Sequence, residues 1–440
     1  MITRRTIPLL FVIVIISLTI TLTPTITSVL ALSPSLSAAT SSLNPSPQKE
    51  SDNSKSTFKI TEKLKSLING AVDNNKTNAA IVVGIVDPNG TEFYGHGKMS
   101  NVNNNATVDQ NTIFAIGSNT KVFTAILLAD MVGDGLIKLD DPIEKYLPAN
   151  VIAPQYKGHK ITLEDLATHT SGLPEFVPNY CPSFFKENPR TPSDEIQRLI
   201  RVAGCIKNYT FDQFYQGLSN TTLTREPGTK VEYSTFGSAL LGNILTLKSN
   251  MSSYEELLKK RVLNVLGMDN TSINLSDAQK SRLAIGRLYG QELPSFNYSN
   301  PIAPGGGLYS SASDMLKFIS ANMGLIKTKL DKAMQESHLI RISSGFLIPN
   351  NIGVSANNAA TSTGFYVGLG WFVTTDFGNE IIWHNGATGG GYNAFMGFNP
   401  ATDRGIVILC SSDRRNADIM TAGLYKNNNL SYLVWTLLKG

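Results

Sequence analysis

The chain has 440 residues, which is enough for one large core or for two subdomains that share an interface. Hydrophobic residues make up 42% and charged residues only 16%, so the composition is that of a globular protein whose surface relies on uncharged polar groups. The net charge of +4 is weak for this length, and no basic block lies beyond the extreme N-terminus, which argues against nucleic acid as a partner.

The N-terminus predicts export. Arg4 and Arg5 precede an apolar run at about 7–20, and the small residues at 29–31 fit a signal-peptidase pattern. Because the run is long and rich in β-branched residues, 1–31 is either a cleaved signal peptide or an uncleaved membrane anchor. Both alternatives place the bulk of the chain outside the cytoplasm, either secreted or tethered to the outer face of the cytoplasmic membrane.

A linker and one folded domain are predicted to follow. Residues 32–57 are rich in Ser, Pro, Asn and Lys and have no apolar period, so they are expected to form a disordered tether. The domain is expected at 58–440. It opens with a helical pattern at 58–69 and then an apolar, β-branched strand at 79–86, which returns at 91–94 as a hairpin.

Helices dominate the middle of the chain and strands its end. Helical patterns occur at 118–132, 162–168 with Thr162 as N-cap, 194–202, 236–247, 254–265 and 311–323. Strand patterns follow at 368–373, 380–384, 392–398 and 405–409, and a last helix is predicted at about 430–438.

This distribution predicts an α/β (α+β) fold. Strands near both termini, joined by short turns, favour an antiparallel sheet that is flanked by helices and built from both ends of the chain. The sheet part is expected at about 58–115 and 305–440, and a helical subdomain at about 116–304.

Cysteine usage leaves two alternatives open. Cys181 and Cys205 lie near each other in a polar, loop-like stretch and are the plausible disulfide pair in an exported protein. Three free thiols are the other alternative. Cys410 follows an apolar run and is expected to be a buried thiol.

Several motifs are absent. There is no Gly-x-Ser-x-Gly elbow and no His-Glu-x-x-His helix, and the five histidines are not at metal-ligand spacing. The sequence therefore disfavours an α/β-hydrolase and a metal hydrolase, and no metal or organic cofactor is expected.

The pattern Ser-x-x-Lys places two side chains on one helix face, one turn apart, where lysine can take the serine proton if its pKa is lowered. Four pairs match: Ser46–Lys49, Ser56–Lys59, Ser118–Lys121 and Ser183–Lys186. Only Ser118 follows an apolar approach and opens a long apolar helix. On this motif alone, an N-cap role for Ser118 is favoured over a catalytic one.

The surrounding residues resemble a known family. The segments are Phe114-Ala-Ile-Gly-Ser-Asn-Thr-Lys-Val-Phe-Thr-Ala, Gly135-Leu-Ile-Lys-Leu-Asp-Asp-Pro-Ile, Ile161-Thr-Leu-Glu-Asp-Leu-Ala-Thr-His-Thr-Ser-Gly-Leu-Pro, Pro227-Gly-Thr, Tyr233-Ser-Thr, Gly305-Gly-Gly-Leu-Tyr-Ser-Ser-Ala-Ser-Asp-Met and His384-Asn-Gly. In this order they resemble class C β-lactamases and the related D-alanyl-D-alanine carboxypeptidases (penicillin-binding proteins) and esterases. The resemblance implies that Ser118 is the nucleophile of an acyl-enzyme and Lys121 its proton partner.

The family also has a Tyr-x-Asn motif, whose tyrosine activates the serine. Tyr298-Ser299-Asn300 is the literal match, but Tyr233 follows a Pro-Gly turn and precedes a helix, as the family motif does. We therefore assign the role to Tyr233. Thr235 then replaces the family asparagine at a substrate-binding position, and its hydroxyl offers fewer hydrogen bonds than an amide does.

In place of the family's Lys-Thr-Gly, this chain has His384-Asn385-Gly386, which the resemblance assigns to substrate binding. The backbone N–H groups of Ser118 and Ala387 would form the oxyanion hole. His384 would lie near a substrate carboxylate or assist the tyrosine.

These expectations combine into an exported serine hydrolase that forms an acyl-enzyme with a small peptide (D-Ala-D-Ala-like), ester or β-lactam carbonyl. A peptidase or esterase is favoured, because a conditionally charged histidine replaces a lysine and because Thr235 replaces asparagine. The alternatives are a true class C-like β-lactamase and a catalytically idle secreted binding protein with this fold.

Overall fold

The structure is a computed structural model that describes residues 58–73, 79–100, 106–182, 187–294, 296–298, 301–347, 364–376, 379–412 and 437–438. All of these belong to a unit that begins at Phe58. The predicted signal peptide or anchor and the linker lie outside the described residues, as does nearly all of the helix predicted at 430–438. Among the described residues, no helix has the length and apolarity needed to cross a membrane.

The strands fall at both ends of the described chain. They are Ala80–Asp87 (β1), Gly90–Gly97 (β2), Ile113–Ala115 (β3), Gln155–Tyr156 (β4), His159–Lys160 (β5), Arg287–Leu288 (β6), Gln291–Glu292 (β7), Tyr309–Ser311 (β8), Ile342–Leu347 (β9), Gly364–Val367 (β10), Phe372–Asp376 (β11), Asn379–Thr388 (β12), Tyr392–Asn399 (β13) and Arg404–Cys410 (β14).

Eight of these strands form one antiparallel sheet. Its order is β2-β1-β14-β13-β12-β11-β10-β9, so the N-terminal hairpin pairs with the last strand. The register joins Ile81 to Cys410 and Ile85 to Ile406 across β1 and β14. Separate two-stranded pairs are β3 with β8, β4 with β5, and β6 with β7.

The helices lie mostly between the two groups of strands. They are Glu62–Asp73 (α1), Thr120–Gly133 (α2), Leu163–Ala167 (α3), Pro192–Lys207 (α4), Phe211–Ser219 (α5), Thr235–Ser249 (α6), Tyr254–Leu258 (α7), Asn264–Leu266 (α8), Asp277–Lys280 (α9), Ala312–Asn322 (α10) and Asp331–His338 (α11). A π-helical stretch, Lys259–Leu263, joins α7 to α8, and 3₁₀ turns occur at Gly117–Asn119, Ile143–Lys145 and Ala303–Gly305.

Alternation along the strands divides the core into two apolar clusters. On β1, Ala80 and Val82 belong to a large cluster with the helices of the middle of the chain, including α2 and α6. Ile81 and Val83, which point the other way, belong to a smaller cluster with Leu64 of α1. Because successive strand side chains alternate between faces, a strand that is buried on both sides is apolar along its length, as β1 is from Ala80 to Val86.

The predicted fold class is confirmed: helices accompany an antiparallel sheet whose strands come from both ends of the chain. Thr162 caps α3 as predicted, through a capping box with Asp165. Several predicted boundaries were wrong. The helix predicted at 194–202 spans Pro192–Lys207, the strand predicted at 380–384 spans Asn379–Thr388, and the helix predicted at 254–265 is interrupted by the π-helical stretch. The helix predicted at 58–69 begins at Glu62, and the strand predicted at 368–373 begins at Phe372, because Gly370 adopts φ +71° in a turn before it.

The two cysteines of the helical part form a disulfide. Cys181 and Cys205 have their sulfur atoms 2.05 Å apart and their Cα atoms 5.8 Å apart. Cys410 is a free, buried thiol at the end of β14.

Candidate active site

Ser118 lies at the junction between strand β3 and helix α2. The chain leaves β3 at Ala115, forms the 3₁₀ turn Gly117–Asn119 and continues directly as α2. Gly117 has φ +51°, a conformation that glycine adopts without a steric penalty. The N-cap position of α2 is Asn119, and no side chain caps that helix. Ser118 is therefore not the helix cap that its motif alone allowed.

The side chain of Ser118 instead contacts Lys121. Lys121 Nζ donates a hydrogen bond to Ser118 Oγ at 2.9 Å and another to the backbone carbonyl of Gly305 at 2.5 Å. Lys121 is 2% exposed, whereas Ser118 is partly exposed. Burial lowers the pKa of Lys121 to about 7, and the nearby Glu175 carboxylate opposes that lowering. Near neutral pH a large share of Lys121 is thus uncharged and able to accept a proton.

Tyr233 lies against the same lysine. Lys121 Nζ is 4.8 Å from the centroid of the Tyr233 ring. Burial raises the pKa of Tyr233, and its hydrogen bonding to Ser118 partly offsets that rise, so the phenol stays protonated at neutral pH. Tyr298, the competing candidate, is a partly buried residue packed on the large apolar cluster.

Thr235 begins helix α6 and is 8% exposed. A Cβ placed on Gly305 would come within 2.8 Å of the Thr235 carbonyl and 2.9 Å of its methyl carbon. The start of α6 is therefore packed directly on the residue whose carbonyl accepts the lysine hydrogen bond. Glycine at position 305 permits this approach.

Strand β12 brings the third group of predicted residues to Ser118. Strand β11 pairs with β12 only as far as Trp383, so 384–388 extend past it. A Cβ on Gly386 would lie 2.0 Å from the carbonyl oxygen of Ile116 and 2.9 Å from Ser118 N. A Cβ on Gly117 would lie 2.9 Å from Ala387 N. The backbone of β12 thus packs on the Ser118 turn, with Asn385 partly exposed beside it.

His384 is fully buried in this strand. Its Nδ1 lies 2.6 Å from the carbonyl oxygen of Asn385, which can only accept, so Nδ1 carries the proton and Nε2 the lone pair. Burial, together with the charge of Lys121, lowers its pKa to about 3, so the imidazole is neutral at neutral pH. The ring stacks on Phe372, with ring centroids 4.8 Å apart.

The structure brings together Ser118, Lys121, Tyr233, Thr235 and the segment 384–387, which the sequence placed in one site. Within the described ranges, no group of three or more His, Cys, Asp or Glu side chains is arranged to hold a metal ion. The combination of a serine, a buried lysine of lowered pKa and backbone N–H groups at one junction is suited to acyl transfer.

The family model described as "Beta-lactamase" matches residues 66–426, which is most of the chain. The chain belongs to the β-lactamase family. It is a family of serine hydrolases that includes β-lactamases and D-alanyl-D-alanine carboxypeptidases, so the recognition made from the sequence is confirmed.

Relatives of this β-lactamase-family protein include one named a carboxypeptidase/endopeptidase and one named a β-lactamase. This chain is 27% identical over 337 residues to "D-alanyl-D-alanine-carboxypeptidase/endopeptidase AmpH" of Escherichia coli (strain K12), and the match covers 76% of this chain and 79% of the relative. It is 26% identical over 372 residues to a "Beta-lactamase" of Pseudomonas fluorescens, covering 78% and 91%.

Solved structures share the fold. The "Beta-lactamase/D-alanine Carboxypeptidase" of Yersinia pestis, complexed with citrate, superposes with a TM-score of 0.61 at 24% identity over 85% of this chain and 98% of that one. The corresponding protein of Pseudomonas syringae gives 0.64 at 20% identity, covering 86% and 98%.

Two residues near the site of this β-lactamase-family protein were missed from the sequence. His169 packs its ring 4.5 Å from that of Tyr233, and Phe372 stacks on His384. The signal for His169 was present in Ala167-Thr-His-Thr-Ser-Gly, which contributed only to the resemblance. Phe372 was interpreted as an ordinary strand residue, since no sequence pattern separates it from its neighbours.

Proposed function

We propose that this protein is an exported serine hydrolase that cleaves a peptide or ester carbonyl through an acyl-enzyme on Ser118. The observation that carries the proposal is the 2.9 Å hydrogen bond between Ser118 Oγ and a buried lysine whose pKa is lowered to about 7. A lysine in that state can accept the proton of the attacking hydroxyl at neutral pH.

The reaction follows from the contacts of these groups. Ser118 Oγ attacks the carbonyl carbon while its proton passes to Lys121, and the backbone N–H groups of Ser118 and Ala387 stabilise the oxyanion. The C–N or C–O bond to the leaving group then breaks, and the proton reaches that group through Tyr233. Water attacks the resulting ester, regenerating Ser118 and releasing the acid.

The uncharged His384 favours an ester or an internal peptide bond, neither of which needs a carboxylate beside the scissile bond, over a β-lactam. Its neutral ring offers no fixed positive charge to the carboxylate that β-lactams carry. Thr235 provides a hydroxyl where the family has an amide, so water would be poorly positioned against a bulky acyl-enzyme. We expect β-lactams to acylate Ser118 and to leave slowly.

Hydrolysis of β-lactams is the second candidate, because a relative that covers 78% of this chain is named a β-lactamase. Steady-state kinetics on nitrocefin, a p-nitrophenyl ester and a D-Ala-D-Ala peptide separate the two. Efficient turnover of nitrocefin with an inert ester and peptide would establish the β-lactamase instead.

Labelling with a fluorophosphonate tests the catalytic proposal itself against an idle binding protein. Wild type should be labelled, and Ser118→Ala should lose both labelling and turnover while unfolding like the wild type. Ser313→Ala, a serine outside the site, is the control and should keep both. Turnover that survives in Ser118→Ala would refute the assignment.

The proposed export is supported by the sequence of residues 1–31, which resembles a signal peptide or membrane anchor. We also propose that a linker at 32–57 and a single domain at 58–440 follow it. Fractionation of cells that express the full chain, with N-terminal sequencing of the product, tests both points. A full-length cytoplasmic product would contradict them.

A further inference from the structure

We propose that His169 is a positioning residue that fixes Tyr233 against Ser118 and Lys121 by holding the backbone on both sides of the tyrosine. This inference rests on the proposed function in one respect, which is that Tyr233 takes part in proton transfer.

Three contacts join His169 to the tyrosine and its neighbours. Its backbone carbonyl accepts a hydrogen bond from Glu232 N at 2.8 Å. Its side-chain Nδ1 accepts one from Ser234 N at 3.2 Å, and its ring lies 4.5 Å from that of Tyr233 at an interplanar angle of 39°. One residue therefore binds the backbone before and after Tyr233 and also packs on the ring between.

The backbone of His169 adopts a conformation that needs support. Its φ is +61°, in the left-handed region, directly after Thr168 at the end of α3. Residues other than glycine are uncommon there, although Asn, Asp and His are enriched. Such a conformation persists where surrounding contacts hold it, and it recurs at functional sites.

The bond to Ser234 fixes the chemical state of the imidazole. A backbone N–H can only donate, so Nδ1 must carry a lone pair and the ring is neutral with its proton on Nε2. His169 is 1% exposed, and burial, with Lys121 and His384 adding to it, lowers its pKa well below the usual value. The acceptor that holds Ser234 is therefore retained at neutral pH.

Fixing the tyrosine matters because its ring packs against both His169 and Lys121. The ring centroid is 4.8 Å from Lys121 Nζ and 4.5 Å from the His169 ring. A displacement of about 1 Å in a proton-transfer group can reduce the rate about 100-fold. Because His169 acts through Tyr233 rather than through the bound substrate, the loss should fall on kcat and leave KM nearly unchanged.

Two substitutions that both tolerate a positive φ isolate the acceptor. His169→Asn keeps an acceptor oxygen near the position of Nδ1, whereas His169→Gly keeps only the backbone conformation. On a p-nitrophenyl ester we expect the asparagine variant to stay within about threefold of wild-type kcat, and the glycine variant to lose about 30-fold or more with KM within about twofold. Equal kcat values for the two variants would overturn the inference.

A double mutant separates positioning from general loss of structure. In a Tyr233→Phe background, His169→Gly should produce little further loss of kcat, because the hydroxyl it positions is already gone. Fully additive losses would mean that His169 acts elsewhere. This outcome is independent of the Ser118→Ala test, whose failure would refute the proposed function instead.

His338 offers a matched control. It is another mostly buried histidine, whose ring packs on Trp371 and Phe398 and whose Nε2 lies 2.9 Å from Asn322 Oδ1. His338→Gly should lower the melting temperature without changing kcat. A loss of kcat comparable to that of His169→Gly would show that any buried-histidine substitution has this effect, and the inference would fall.

Discussion

Lys121 Nζ lies 2.9 Å from Ser118 Oγ, and the same nitrogen donates to the carbonyl of Gly305, 184 residues along the chain. The first contact follows from one turn of a helix, and the second from packing of the turn Ala303–Gly305 against helices α2 and α6. Together they hold the amine next to the hydroxyl. Lys121 is 2% exposed, so water does not solvate its charged form. That burial is the physical reason why the pKa of Lys121 is lowered.

Activity should depend on the ionisation of Lys121. Its pKa is lowered to about 7, so the neutral, proton-accepting form increases as the pH rises through that value. With an uncharged p-nitrophenyl ester, kcat/KM should increase about tenfold per pH unit below about pH 7 and level off above it. His384, with a pKa of about 3, adds no inflection there. A flat profile from about pH 5 to about pH 9 would contradict the role of Lys121 as base.

The pH dependence of the free energy of unfolding tests the lowered pKa of Lys121 independently of activity. A lowered lysine pKa means that the unfolded chain binds more protons than the folded one between about pH 7 and the ordinary value of 10.5. Lys121 therefore destabilises the fold most below about pH 7 and has no such effect above 10.5. Lys121→Met should be inactive yet more resistant to urea than wild type, with the largest gain at low pH. An equal gain at every pH would contradict the lowered pKa.

The two candidate tyrosines should differ in kcat. Tyr233→Phe removes the hydroxyl that interacts with Ser118 and should reduce kcat about 100-fold, as loss of a general acid–base group does. Tyr298→Phe is the matched control and should stay within about twofold, because that residue packs on the apolar cluster. The kinetics of both variants on one ester decide between them, and a larger loss at Tyr298 would reverse the assignment.

The contact between Ser118 and Lys121 could be predicted from their spacing, although the family resemblance, and not the spacing, singled out this pair among four matches. Ser118 and Lys121 are three residues apart on a helix, and the glycines near β12 mark a close approach. Two contacts could not be predicted from the sequence: that of Lys121 with Gly305, and the hydrogen bonds of His169 with residues 232–234. Each joins segments that are far apart in sequence through backbone atoms that every residue has. No side-chain pattern identifies which carbonyl will accept such a bond.

The same distinction applies to the fold. Strand β14 was predicted from its continuous apolar run, which the structure shows to be buried. Edge strand β9, Ile342–Leu347, contains two serines and a glycine, and its sequence shows no alternation. Helix α5 was missed although Thr210 and Gln213 form a capping box before it. The capping box could have predicted helix α5 from the sequence. The position of an edge strand cannot be predicted in this way, because it depends on the strand with which it pairs.

The glycine of β12 should be essential to the oxyanion hole. A Cβ on Gly386 would lie 2.0 Å from the Ile116 carbonyl oxygen, so Gly386→Ala must push β12 away from Ser118 N. We expect kcat to fall about 100-fold, as when an oxyanion donor is lost. Gly204→Ala, in helix α4 with no atom within 4 Å of the new Cβ, is the control and should add about 0.5–1 kcal/mol of stability without changing kcat. Equal kcat values for the two variants would contradict the proposed role of the Ala387 N–H group in the oxyanion hole.

The last prediction concerns recognition of a substrate carboxylate. His384 donates from Nδ1 to the Asn385 carbonyl and is fully buried, so its neutral ring offers a substrate carboxylate neither a positive charge nor an accessible hydrogen-bond donor. At about pH 8.5, where Lys121 with its pKa of about 7 is mostly neutral, neither of these two side chains supplies a positive charge. An acylated D-Ala-D-Ala peptide and its C-terminal amide should therefore be cleaved with kcat/KM values within about threefold of each other, or with the amide preferred. Asn385→Lys, at the neighbouring and partly exposed position, should supply a cation and shift the ratio towards the free acid by about tenfold. Both ratios come from steady-state kinetics of wild type and variant on the two peptides.

A wild-type preference of tenfold or more for the free acid would mean that another cation binds the carboxylate. The protein would then act as a carboxypeptidase, which requires such a cation.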